Sequence, residues 1–201
     1  MSASRRSSTP VRPGERFART VTDVLAPQYI VVGLLLLVGA VTDGWSGVGW
    51  AMWAILFTAV LPLALVKVGI RRGRWADRHL SRRAQRMRVM PVVVALVAVG
   101  LTSMVVLGAP HDMVLLVVVM VVTLSVLTVV TSVWKISVHT TVMAGAITQT
   151  VYALSAWWTL AAVLVPLVAW SRVVLRAHTR AQALAGAMVG FGLAAGCWIL
   201  G

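Results

Sequence analysis

Acidic residues are scarce in this chain: five Asp and Glu stand against 18 Lys and Arg. No acidic cluster is present to hold magnesium, and Asp77 is the only acid near the basic stretches described below. A glycine-rich phosphate loop followed by Lys-Ser/Thr is also missing, which excludes the nucleotide chemistry built on that loop. The single cysteine, Cys197, cannot form an intrachain disulfide, so the thiols say nothing about redox compartment. The first 23 residues lack the short apolar core and small-residue cleavage site of a secretory signal. No nucleic-acid motif accompanies the net charge of +13, so no nucleic-acid partner is expected. Anionic lipid headgroups or an anionic substrate suit that charge better.

What the chain does have is apolar length. It is 60% hydrophobic with a mean hydropathy of +0.92, whereas soluble domains are about 45–50% apolar. The expected fold is an all-α polytopic transmembrane bundle of about six to seven spanning helices. Spans are expected near residues 24–41, 47–70, 89–107, 113–133, 140–156, 159–174 and 181–200, judged against the roughly 20 residues that cross a bilayer. The span at 113–133 is rich in Val and Thr, but an uncharged apolar run of this length reads as a helix. Pro62 and Pro166 should kink their helices. Residues 1–23 read as a basic, disordered cytoplasmic tail, and residues 24–201 as the membrane domain.

With seven spans, all 18 Lys and Arg fall on one side with the N-terminus. The other side carries Asp43 and Asp112. The excess of Lys and Arg in short loops places the basic side in the cytoplasm of an inner (plasma) membrane. Trp75, Trp134 and Trp170 mark that border, and Trp45, Trp157, Trp158 and Trp198 the opposite one. Gly186, Gly190, Gly192 and Gly196 in the last span form small-xxx-small steps, read as close helix packing. His111 reads as a surface residue without partners.

Three polar clusters lie on the basic side: Arg71 to Arg88, Lys135 to His139, and Ser171 to Gln182. Charge placed inside the membrane is costly and usually functional. Arginine matches phosphate oxygens with its forked donors. One histidine can attack phosphorus and a second can protonate the leaving oxygen. Arginines can neutralise the developing charge, so the chemistry demands no metal and no cofactor.

These residues resemble the type 2 phosphatidic acid phosphatase superfamily of membrane lipid phosphatases over roughly residues 70–201. That family carries Lys-x6-Arg-Pro, Pro-Ser-Gly-His and Ser-Arg-x5-His-x3-Asp. The third signature appears as Ser171-Arg172, five residues, His178, three residues, then Gln182 in place of aspartate. The second appears as Ile136-Ser137-Val138-His139, without its proline and glycine. In the first, Arg86 is followed by Met87 rather than proline, and His79 stands at the lysine position. The His178-Thr179-x-x-Gln182 form is similar to prenyl (dolichyl-type) diphosphatases.

The resemblance implies a hydrolase acting on a lipid phosphate or prenyl diphosphate through a phosphohistidine. His178 would be the nucleophile and His139 the general acid. Arg86 and Arg172 would grip the phosphate, Ser137 would add a hydroxyl or backbone donor, and His79 and Lys135 would add charge. Gln182 would accept the imidazole proton through its amide oxygen without supplying the family's negative charge. Membrane lipids and the lipid substrate are the expected partners. The departures at Met87, Val138 and Gln182 keep open a competing class, a phospholipid binder or transporter on the same scaffold.

Overall fold

The computed structural model describes residues 12–72 and 83–201, except for the side chains of residues 83–86. Among the described residues it is all helix. The elements are α1 (Pro13–Val24), α2 (Pro27–Ile55), a π-helical segment (Leu56–Val60), α3 (Leu61–Arg71), α4 (Arg83–Val106), α5 (His111–Val133), α6 (Val138–Ala153), a 3-10 helix (Ala156–Val163), α7 (Leu164–Val174) and α8 (Arg180–Leu200). Among the described residues five stretches are long and apolar enough to cross a membrane: Pro27–Arg71, Met87–Val106, His111–Val133, Ala156–Val174 and Arg180–Leu200.

The first of these has 45 residues, about 68 Å if straight at 1.5 Å per residue. It is not straight. Gly44 has φ 58° and ψ −133°, outside the helical region, a conformation that glycine reaches without a Cβ penalty. The chain folds back there: a Cβ built on Gly39 would lie 2.5 Å from the carbonyl oxygen of Gly47. Eight residues along one straight helix would separate those backbones by about 12 Å. The break expected at Thr42-Asp43-Gly44 is therefore a tight helical hairpin, held to this spacing by Gly39 and Gly47.

The two expected kinks take particular forms. Pro62 follows the π segment and sits in the first turn of α3. The wider turn takes up the missing N–H and the ring clash that proline would bring to a regular helix. Pro166 lies in the first turn of α7, just after the change from 3-10 to α geometry. The Val- and Thr-rich α5 is helical over its full 23 residues.

The N-terminal expectation needs correction. Pro13 to Val24 is helical, not a disordered tail; residues 1–11 lie outside the described set. Pro13 opens α1 in the first turn and Glu15 sits beside the positive helix end. Ala18, Val21 and Thr22, at i, i+3 and i+4, form its buried stripe. That stripe packs on α7, with the Phe17 and Trp170 rings 5.8 Å apart. Burial of a few side chains outweighs the polarity of Arg12, Arg16 and Arg19, which stay exposed.

α6 is the axle of the bundle. Ala146 belongs to a core with Leu35, Val38, Ala51, Met113 and Leu116. Met143, Ala144 and Ile147 belong to a second core with Val165, Val168 and Ala187. Its buried threonines donate to their own helix: Thr148 to the Ala144 carbonyl (3.0 Å) and Thr150 to the Ala146 carbonyl (2.8 Å). This satisfies each hydroxyl locally and makes its burial inexpensive.

α8 lies alongside α6. A Cβ on Gly186 would strike the Thr140 hydroxyl and come 2.7 Å from the Ser137 carbonyl oxygen. One on Gly190 would strike the Thr141 carbonyl and come 3.0 Å from Ala144 Cβ. The advance from residues 137–141 to 141–145 as α8 runs from 186 to 190 makes the two helices parallel. Packing thus explains Gly186 and Gly190. It does not explain Gly192 and Gly196, where an added Cβ would meet no other element within 4 Å.

Candidate functional site

The polar ends of α6 and α8 meet because the helices are parallel and closely packed. The Ser137 N–H donates to the Gln182 carbonyl at 3.3 Å. Lys135 Nζ donates to the Ala177 carbonyl at 2.6 Å. The loop between α5 and α6 and the turn between α7 and α8 are joined directly. His139 stands in the first turn of α6 and His178 one residue before the N-cap of α8. Both are half-buried, and Nδ1 of His178 is buried. Two helix N-termini side by side add their positive ends and favour an anion.

Each helix start is capped. Ser137 Oγ accepts the Thr140 N–H at 3.5 Å. Thr179 Oγ1 accepts the Gln182 N–H at 3.2 Å, while Gln182 Oε1 accepts the Thr179 N–H at 3.1 Å. This is a complete capping box, and Thr179-x-x-Gln182 is its sequence signature. The family resemblance assigns the Gln182 amide oxygen to the imidazole of the nucleophile; here it serves its own helix start. Ser137 is fully buried with its N–H and Oγ both engaged, so it positions α6 rather than presenting a donor at the surface.

The turn before His178 is set by the end of α7. The Arg176 N–H donates to the Val173 carbonyl (2.9 Å) and the Ala177 N–H to the Arg172 carbonyl (3.0 Å). With Arg176 at φ 52°, these bonds make a Schellman motif with arginine where glycine is usual. The Arg172 carbonyl also accepts the His178 N–H at 3.2 Å. The backbone of Arg172 therefore fixes the start of the His178 segment.

The side chain of Arg172 turns toward α1. Its Nη1 lies 3.5 Å from Thr22 Oγ1, and Asp23 is close enough to act on its charge. Thr22 Oγ1 and Ser171 Oγ are 3.1 Å apart, and Ser171 Oγ donates to the Val168 carbonyl at 2.8 Å. Since Ser171 uses its proton there, Thr22 donates to Ser171 and offers lone pairs to Arg172. Arg172 Nε is buried with no partner among the described residues. Sequence reasoning missed Thr22 and Asp23, though the spacing of Ala18, Val21 and Thr22 was a signal for a docked helix.

Of the remaining site residues, Arg86 lies in the first turn of α4 and its side chain is outside the described set. His79 and Asp77 are also outside it. His111 faces Asp112, Nδ1 to Oδ1 3.7 Å, on an exposed surface, which corrects its reading as a residue without partners. Among the described residues no three His, Cys, Asp or Glu side chains come together. Comparison with known proteins finds no matching family model, no matching curated protein and no matching solved structure.

Proposed function

We propose that this chain is a membrane lipid phosphatase of the type 2 phosphatidic acid phosphatase kind, acting on a lipid phosphate or prenyl diphosphate. One observation carries the reading: the α5–α6 and α7–α8 connections are tied together at Lys135–Ala177 and Ser137–Gln182. That union gathers the residues of two of the three signatures at one end of the bundle.

In this reading the phosphate sits over the paired N-termini of α6 and α8. Burial of Nδ1 leaves Nε2 of His178 as the attacking atom. It forms a bond to phosphorus as the lipid oxygen leaves, and His139 gives that oxygen its proton. Water then attacks the phosphohistidine, His139 takes up the water's proton, and phosphate and His178 are released. Arg172 would leave Thr22 to meet the phosphate, with Lys135, Arg86 and His79 adding charge. No metal or cofactor is needed where arginines neutralise the phosphoryl oxygens.

The bundle is proposed to cross the membrane seven times: twice through the Pro27–Arg71 hairpin, once through the short buried α6, and once through each of the other four long stretches. The basic end would face the cytoplasm by the excess of Lys and Arg.

A second reading, a non-catalytic binder of phospholipid headgroups, is favoured by one observation: Gln182 and Ser137 are occupied as caps and Arg172 by α1. Phosphate release from a panel of lipid phosphates and prenyl diphosphates, in excess chelator, separates the two. Turnover lost in His178→Ala supports the enzyme. Equal phosphate release by wild type, His178→Ala and His139→Ala would refute it.

A further inference from the structure

The buried threonines of α6 are satisfied on their own helix, but the buried glutamine of the same helix is not. Gln149 is 3% exposed, and its Oε1 has no partner among the described residues. Leaving such an oxygen buried and unpaired is costly. The side chain lines a largely apolar cavity of about 250 Å³ between α2, α3, α4, α5 and α6.

The cavity has a direction. On α6 it is walled by Val138, Thr141, Val142, Gly145, Ala146 and Gln149. These follow the i, i+3, i+4, i+7 spacing of one helix face. The stripe begins beside His139 at the polar end and finishes at Gln149, about 16 Å deeper at 1.5 Å per residue. The facing wall includes Thr58 and Ala59 of the π segment, a helix irregularity that often marks functional sites. Thr58 and Thr141 donate to the carbonyls of Ala54 and Ser137 on their own chain segments. Gln28 and Thr123 also line the cavity, but of the lining groups it is Gln149 Oε1 that is buried with no partner among the described residues.

We infer that this cavity is a binding site for a single linear alkyl or isoprenoid chain ending in a hydroxyl, held with that hydroxyl against Gln149. The apolar wall accepts the chain. A hydroxyl both donates and accepts, so it pairs with the amide in either orientation of the Gln149 side chain. A plain hydrocarbon would leave Oε1 unpaired and forfeit that bond. The site is distinct from the phosphate end of the bundle and needs no turnover to be detected.

The test uses purified full-length protein in detergent and three ligands of equal length: 1-dodecanol, dodecyl methyl ether and dodecane. The ether accepts a hydrogen bond but cannot donate one. Binding is read by native mass spectrometry and by ligand-dependent thermal stabilisation. The alcohol is expected to bind at least about tenfold more tightly than the ether or the alkane, the scale of one buried hydrogen bond. Gln149→Leu should fold, abolish that preference and still bind all three. Ala146→Phe, which fills the cavity, should weaken all three together. His178→Ala should bind the alcohol as wild type does, so failure of the phosphatase reading and failure of this site are distinguishable. Equal affinity of wild type for alcohol and ether would overturn the inference, as would absence of binding; both results are read on the wild-type protein and require no variant to fold.

Discussion

Gly190→Ala tests the packing on which the whole polar end depends. The added methyl would lie 3.0 Å from both Ala144 Cβ and the Gly145 nitrogen and would strike the Thr141 carbonyl. α6 and α8 must then separate by several tenths of an ångström or more. In lipid, helices associate largely through such van der Waals contact, and overpacking costs about 1–3 kcal/mol. Alanine returns about 0.5–1 kcal/mol through its better helix propensity. The net expectation is a loss of about 1–2 kcal/mol, or about 2–8 °C in unfolding temperature at this chain length. Separation would also stretch the Ser137 N–H to Gln182 bond, already 3.3 Å. Gly192→Ala is the matched control, with nothing within 4 Å of its Cβ, and should be neutral to stabilising by about 0.5–1 kcal/mol. The assay is thermal unfolding of each variant in one detergent. If the two variants melt alike, the close approach of α6 and α8 is wrong.

If the proposed phosphatase reading holds, His139→Ala should slow turnover by about 10²–10⁴-fold, the usual worth of general acid catalysis, and a nitrophenyl phosphate, whose leaving group needs no proton, should partly rescue it but not His178→Ala. Thr179→Ala should cost about 1 kcal/mol in thermal unfolding through loss of the α8 cap; no loss would remove the capping box from the account. Arg176→Gly should be neutral or stabilise by up to about 1 kcal/mol because arginine holds a left-handed position there; a clear loss would show that its side chain is structural. In a Cys197→Ser background, a cysteine at Arg16 should be shielded from an impermeant reagent in intact cells and one at Ser46 labelled; the reverse pattern would put the basic end outside.

The helices were legible because hydropathy and length decide them locally. A backbone surrounded by hydrocarbon must satisfy its own hydrogen bonds, so the runs at 113–133 and 181–200 had one available form, seen as α5 and α8. The reversal at Thr42-Asp43-Gly44 was legible for the same reason. A run of 45 residues is too long for one crossing, and Gly44 lies where the chain can turn. The capping box of Thr179 and Gln182 was written in the sequence as well, but the same glutamine also fitted a position in a catalytic signature.

The remainder depended on which surfaces meet. Nothing local separates Gly190 from Gly192; one faces α6 and the other faces open space, because α8 turns about 100° per residue and contacts α6 along one stripe. The tail looked disordered because Arg12, Arg16 and Arg19 dominate its composition, yet Ala18, Val21 and Thr22 find α7. Arg172 was assigned by its place in a motif, whereas its direction comes from Thr22, 150 residues away in the chain. Sequence alone determined the helical, membrane-type character and the clustering of basic charge, since both follow from residues near one another in the chain. Tertiary structure decided which polar groups are occupied and which, like the Gln149 oxygen, are left buried without a partner among the described residues, because a hydrogen bond between distant residues exists only after helix packing has placed them together.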